Sequence, residues 1–146
     1  MIGVLIVTHG GLAGELLSAA EMITGGLNGF EALSLRWTEG FEEARGQIAA
    51  AIERLNAGSG VVVLTDMFGD TPTNAALSLA RPGFAEVITG VNLPMVVRLG
   101  CLATQEMALS DLARWLQVKG RRAIRHPQES GTRSPKPGVP DPGARR

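Results

Sequence analysis

Two short uncharged runs, residues 2–7 and 60–65, are apolar at consecutive rather than alternate positions. A strand with one face in water alternates, whereas a strand covered on both faces does not. Runs of this kind therefore point to a parallel sheet between two layers of helix. The segments between them have the matching period. Residues 12–24 carry Leu12, Leu16, Leu17, Ala20 and Ile23 at helical spacing and stop at Gly25-Gly26. Residues 41–55 carry Ala44, Ile48, Ala49, Ile52 and Leu55 along one stripe. Residues 31–35 and 85–89 read as further strands. Thr71-Pro72 opens a third helix, because proline in a first turn lacks only an N–H that no intrahelical bond uses. Residues 104–118 read as the last helix. This alternation predicts an α/β fold: a small open, mostly parallel sheet of order 2-1-3-4, with helices on both faces and right-handed crossovers.

The chain has room for one such domain, placed here at residues 1–120. Five of its eight prolines (Pro127, Pro135, Pro137, Pro140 and Pro142) follow it. The segment 126–146 has too few apolar groups to offset its ordering entropy and reads as a disordered tail. Between them, at 121–125, Arg122-Ala123-Ile124 is the candidate for a short extra edge strand, on this chain or exchanged with a partner chain. The basic group Lys119, Arg121, Arg122 and Arg125 is either a weak anionic patch or a solvated end of the fold.

Fourteen basic residues balance fourteen acidic ones, which removes the electrostatic case for nucleic acid or an anionic membrane surface as main partner. No apolar run approaches the roughly 20 residues of a membrane-spanning helix. No basic segment precedes the first apolar run, so no signal peptide is predicted. The single cysteine, Cys101, allows no internal disulfide. These features predict a cytoplasmic protein. Neither a G-x-G-x-x-G fingerprint nor a P-loop lysine is present, and no cofactor or metal is predicted.

The chemically informative segments sit where strands end, which is where open α/β sheets bind ligands. In Val7-Thr8-His9-Gly10-Gly11-Leu12, His9 closes the first strand. Gly10 and Gly11 then allow close backbone approach before a helix N-terminus, a place suited to phosphate. A neutral imidazole there can accept a phosphoryl group; alternatively, His9 caps the strand with a backbone hydrogen bond. Asp66 ends the third strand. If strands 1 and 3 are neighbours, their ends lie about 4.8 Å apart, so Asp66 can fix the tautomer of His9 and stabilise positive charge on its ring. It could instead cap the following turn. Thr71 can donate to phosphate oxygens or act as the helix N-cap. Phe68 is a packing anchor or a docking residue. Leu93, Pro94 and Met95, past strand 4, form an apolar collar for a partner or pack as an ordinary loop.

Taken together, three segments resemble the mannose-family IIA domain of the bacterial phosphotransferase system. They are Ile2-Gly3-Val4-Leu5-Ile6-Val7-Thr8-His9-Gly10, the stretch from Leu64-Thr65-Asp66-Met67-Phe68-Gly69-Asp70-Thr71-Pro72 through Thr73-Asn74-Ala75-Ala76, and Ile88-Thr89-Gly90-Val91-Asn92-Leu93-Pro94-Met95. The resemblance runs collinearly to about residue 118. It implies that His9 takes phosphate from phospho-HPr and hands it to a IIB domain or a regulatory target. It also implies that Asp66 orients His9, that Thr71 lies at the phosphate site, and that the chain forms a homodimer touching the membrane only through a transporter. At the position of Asp70 the family often has a small neutral residue. Asp70 is expected to face solvent or cap the helix, because a carboxylate facing His9 weakens the anion-site argument.

Three alternatives stand beside this. A phosphocarrier subunit of a dihydroxyacetone kinase shares the fold and the histidine. A metal-dependent phosphatase or aspartyl-phosphate receiver would use Asp66 and Asp70, although Asp-x-x-x-Asp is not the usual spacing and no further acidic cluster closes strand 1. A non-catalytic ligand-binding module is the third.

Overall fold

In the computed structural model, which describes residues 1–102 and 107–128, β1 (Gly3–His9) is flanked by β2 (Phe30–Leu35) on one side and β3 (Val61–Thr65) on the other. β4 (Ala85–Thr89) lies beyond β3. All pairings are parallel, as the βα alternation requires, and the order is the expected 2-1-3-4. The pleat divides the strand residues between two cores. Val4, Ile6, Val62 and Leu64 face one layer, formed by α1 (Leu12–Thr24), α4 (Leu93–Cys101) and α5 (Leu109–Ala123). Leu5, Val7, Val61 and Val63 face the other, formed by α2 (Phe41–Leu55) and α3 (Thr71–Leu77). Burial on both faces explains why both central strands read as continuous apolar runs.

The helices differ in detail from their expected faces. In α1 the buried positions are Ala13 and Ala20, with Leu16 and Leu17 partly covered, whereas Leu12 and Ile23 are exposed. In α2, Ala51 joins Ala44, Ile48 and Ile52 in the core and Ala49 sits at its margin. α4 was not expected. Asn92 caps it, its Oδ1 accepting the Met95 N–H at 3.1 Å, and Pro94 stands in the first turn. The apolar collar is accordingly the start of a packed helix. Met95, at 2% exposure, is a core residue and no docking surface; Leu93 is partly buried against the same core, and Pro94 alone is exposed.

Within the single chain, residues 122–123 of the candidate edge strand are helical. α5 continues through Arg122 and Ala123, with Ile124 as its C-cap. Its period is helical to the end, burying Leu109, Leu112, Ala113, Leu116 and Gly120, and Arg121 and Arg122 lie in the last turn, where cations suit the helix dipole. The expected start of this helix at Thr104 lies outside the described residues, as does nearly all of the Pro-rich segment. No helix among the described residues is long and apolar enough to cross a membrane.

Gly60 shows how tightly the sheet is joined to its helices. It has φ +83°, and a Cβ there would lie 2.7 Å from the Gly83 carbonyl oxygen and 2.8 Å from Leu109 Cδ2. Gly60→Ala combines a left-handed backbone with overpacking and should cost roughly 2–4 kcal/mol. The expected result is a Tm lower by roughly 10 °C in calorimetry; an unchanged Tm would contradict the close approach.

Candidate functional site

The parallel register brings the ends of β1, β2 and β3 to one rim. His9 pairs with Leu35, and Val7 with Thr65, so Asp66, one residue past β3, stands beside His9. The two are joined twice. The His9 backbone N–H donates to Asp66 Oδ2 at 2.9 Å, and His9 Nδ1 meets the same oxygen at 2.9 Å. A carboxylate only accepts, so Nδ1 carries the proton and Nε2 keeps the free lone pair. The other Asp66 oxygen accepts the Met67 N–H at 3.0 Å, which locks the carboxylate in this orientation. Asp66 thus both hydrogen-bonds His9 and caps the following turn.

Burial pushes the Asp66 carboxyl up, but the hydrogen bonds from the His9 backbone and ring, with Asp70 and the His9 charge, outweigh it and hold the group below the ordinary carboxylate value. A depressed folded value means stability that is fully present above the unfolded value, about 4, and lost as pH falls through the folded one. The Tm difference between the protein and Asp66→Asn should therefore be full at neutral pH and shrink below about pH 4. A difference that stays constant with pH would show that this contact adds no linked stability.

Asp70 does two things. Its Oδ1 accepts the Thr73 N–H at 2.9 Å and caps α3, so Asp70, not Thr71, is the N-cap. Its Oδ2 is buried, has no hydrogen-bond partner and lies 3.4 Å from His9 Nδ1. The side chain is 9% exposed. The site is therefore not a purely electropositive cradle: two carboxylates flank the Nδ1 side of the ring, and Nε2 lies on the far side. His9 Nδ1 and one oxygen of each aspartate lie within 4.8 Å of one another, a spacing within reach of a divalent cation. Each carboxylate already has its other oxygen committed to a backbone N–H, and the 2.9 Å contact is that of a shared proton.

The loop behind these groups is fixed by two buried threonines. Thr65 Oγ1 and Thr73 Oγ1 are 2.7 Å apart, and the Thr73 hydroxyl donates to the Met67 carbonyl at 2.6 Å. On the β1 side, the Thr8 hydroxyl accepts the Ala13 N–H at 2.7 Å, satisfying one of the free donors at the start of α1. Gly10 has φ +55°, and its N–H donates to the Leu35 carbonyl at 2.9 Å. Its contribution is the turn, because its donor is already used. Gly11, the N-cap of α1, is exposed. Thr71 is exposed and borders a small depression with His9, Leu35, Trp37 and Pro72.

Phe68 is 76% exposed and Met67 is also exposed, so Phe68 is no packing anchor. Trp37 was missed from sequence. Two residues past the end of β2, its indole stacks on the His9 imidazole with centroids 4.4 Å apart and planes 14° from parallel. Its place just past the end of β2 puts it on the same rim as His9 and Asp66, which is the signal in the sequence that points to it.

The family model described as the fructose IIA component of the phosphotransferase system matches residues 3–116. The fructose-specific EIIA component of Bacillus subtilis is 30% identical over 125 residues, covering 85% of each chain. The mannose-specific EIIAB component of Escherichia coli is also 30% identical, over 85% of this chain and 39% of its own length. This chain thus spans about two fifths of the EIIAB relatives it matches. A crystal structure of a phosphotransferase system EIIA component from Streptococcus agalactiae superposes with a TM-score of 0.79 at 23% identity, covering 88% of this chain and 99% of that one.

Proposed function

Because the chain belongs to the EIIA-man family of phosphotransferase-system IIA components, we propose that it is a phosphohistidine carrier in sugar uptake, with His9 Nε2 as the atom that takes the phosphoryl group. The observation that carries this reading is the double contact of His9 with Asp66. It commits Nδ1 as donor and leaves Nε2 as the one nucleophilic nitrogen of the ring.

In the transfer the Nε2 lone pair forms a new N–P bond while the N–P bond to the donor's histidine breaks, and the bonding pair returns to the donor's imidazole. The His9 proton stays on Nδ1. The ring then carries positive charge, which Asp66 at 2.9 Å and Asp70 at 3.4 Å oppose most effectively from the Nδ1 side. Thr71, which borders the depression beside His9, and Gly11, at the exposed start of α1, are the groups assigned to the phosphoryl oxygens. The exposed Met67 and Phe68, with Pro94 farther along the rim, offer apolar surface to a protein partner. The donor is phospho-HPr and the acceptor a IIB component. The reaction passes between proteins, which suits a shallow site better than a deep small-molecule pocket would.

Incubation with phosphoenolpyruvate, the general phosphotransferase enzyme and HPr tests this. The expected label is lost in acid and kept in alkali. A label lost in alkali would indicate an acyl phosphate on Asp66 or Asp70, and labelling that needs magnesium but not HPr would overturn the phosphocarrier reading.

A further inference from the structure

We infer that Trp37 is a positioning residue for His9, its indole holding the imidazole in the plane in which Nδ1 meets Asp66 and Nε2 stays open to the donor. The inference rests on the phosphocarrier reading. Trp37 is 79% exposed, so burial of its own surface does not explain its placement. Its contact is with the His9 ring, stacked at 4.4 Å and 14°. A Cβ on Gly10 would lie 3.9 Å from Trp37 Nε1, so the indole overlies the His9-Gly10 turn as well as the ring. The segment that carries it is tethered: Arg36 pairs with Glu39 at 3.1 Å and with Glu43 at 3.2 Å, and Gln47 donates to Glu39 at 2.9 Å.

Asp66 anchors His9 at one edge and leaves the ring free to swing about that contact; a flat ring against its face removes this freedom. Stacking also acts on charge. As the N–P bond forms and the donor's imidazole recovers its electron pair, the His9 ring becomes positive, and an indole face attracts a cation more strongly than a neutral ring. The gain is therefore larger in the phosphorylated state than before transfer, which raises the transfer rate instead of donor affinity alone.

Kinetics with phospho-HPr separate this role from docking. Trp37→Ala should lower kcat roughly 3- to 10-fold with KM for phospho-HPr little changed, and Trp37→Phe should recover most of the loss. In proton NMR the His9 ring resonances should lie upfield in the unmodified protein relative to Trp37→Ala, from the ring current of the stacked indole. A raised KM at constant kcat would make Trp37 a docking residue, and His9 resonances at the same position in both proteins would remove the stack; either result overturns the inference. If the unmodified protein takes up no phosphate, the transfer role falls with the phosphocarrier reading, and the NMR comparison alone decides the stack.

Discussion

Replacing His9 by alanine is expected to abolish phosphoryl uptake from phospho-HPr while leaving the fold intact. The ring is 17% exposed and stands at a strand end, outside both cores, so its removal opens no deep cavity. The chemical loss is complete because nothing nearby substitutes for Nε2. Asp66 and Asp70 are nucleophiles only for an acyl phosphate, and both Oδ1 atoms are held by backbone N–H groups. The measurement is labelling under conditions that saturate the unmodified protein, with circular dichroism as the check on folding. Residual alkali-stable label in His9→Ala would place the acceptor elsewhere.

Asp66→Asn is the second large effect. The substitution keeps size and removes charge, yet it strikes two functions at once. An amide can turn its NH2 toward the ring, which would make Nδ1 the acceptor and place the proton on Nε2, the atom that must attack. Even with the carbonyl facing the ring, the compensating negative charge is gone when the ring becomes positive. In acid–imidazole pairs of serine proteases the same change lowers kcat by about 10⁴. Here the neighbouring Asp70 carboxylate, 3.4 Å from Nδ1, retains part of that charge, so the expected fall in transfer rate is roughly 10²- to 10³-fold with little change in KM. Stopped-flow transfer from phospho-HPr reads it directly. A fall of less than tenfold would mean that the hydrogen bond positions His9 without serving the reaction.

Much of this arrangement was legible from the chain alone, for physical reasons that can be named. The central strands are buried on both faces, so their composition is nearly unconditional, and alternation with helices makes the sheet parallel; the order 2-1-3-4 is one of several that such an alternation allows. That order is what brings His9 and Asp66 together, because neighbouring parallel strands end side by side. α4 was hidden because its helical period is masked: Leu93, Met95, Val96, Val97 and Leu99 are apolar on most sides, and the segment follows a strand closely enough to pass for a loop. The helical end of α5 is not legible in Arg122-Ala123-Ile124 taken in isolation, because these residues lack the thirteen preceding ones that set the helical phase. Asp70 could be expected to cap α3 from its place before Thr71-Pro72, but the direction of its second oxygen depends on the loop conformation held by Thr65 and Thr73. Trp37 stands on the rim by its place two residues after β2, but nothing local in the sequence shows that its indole turns over His9.

Whether His9 Nε2 receives the phosphoryl group is decided by long-range 1H–15N correlation NMR on the phosphorylated, uniformly 15N-labelled protein. The expected spectrum shows a phosphorylated Nε2 with the proton retained on Nδ1 of the same ring, and no such pattern in His9→Ala. Phosphorus bound to Nδ1, or to any residue other than His9, would contradict it.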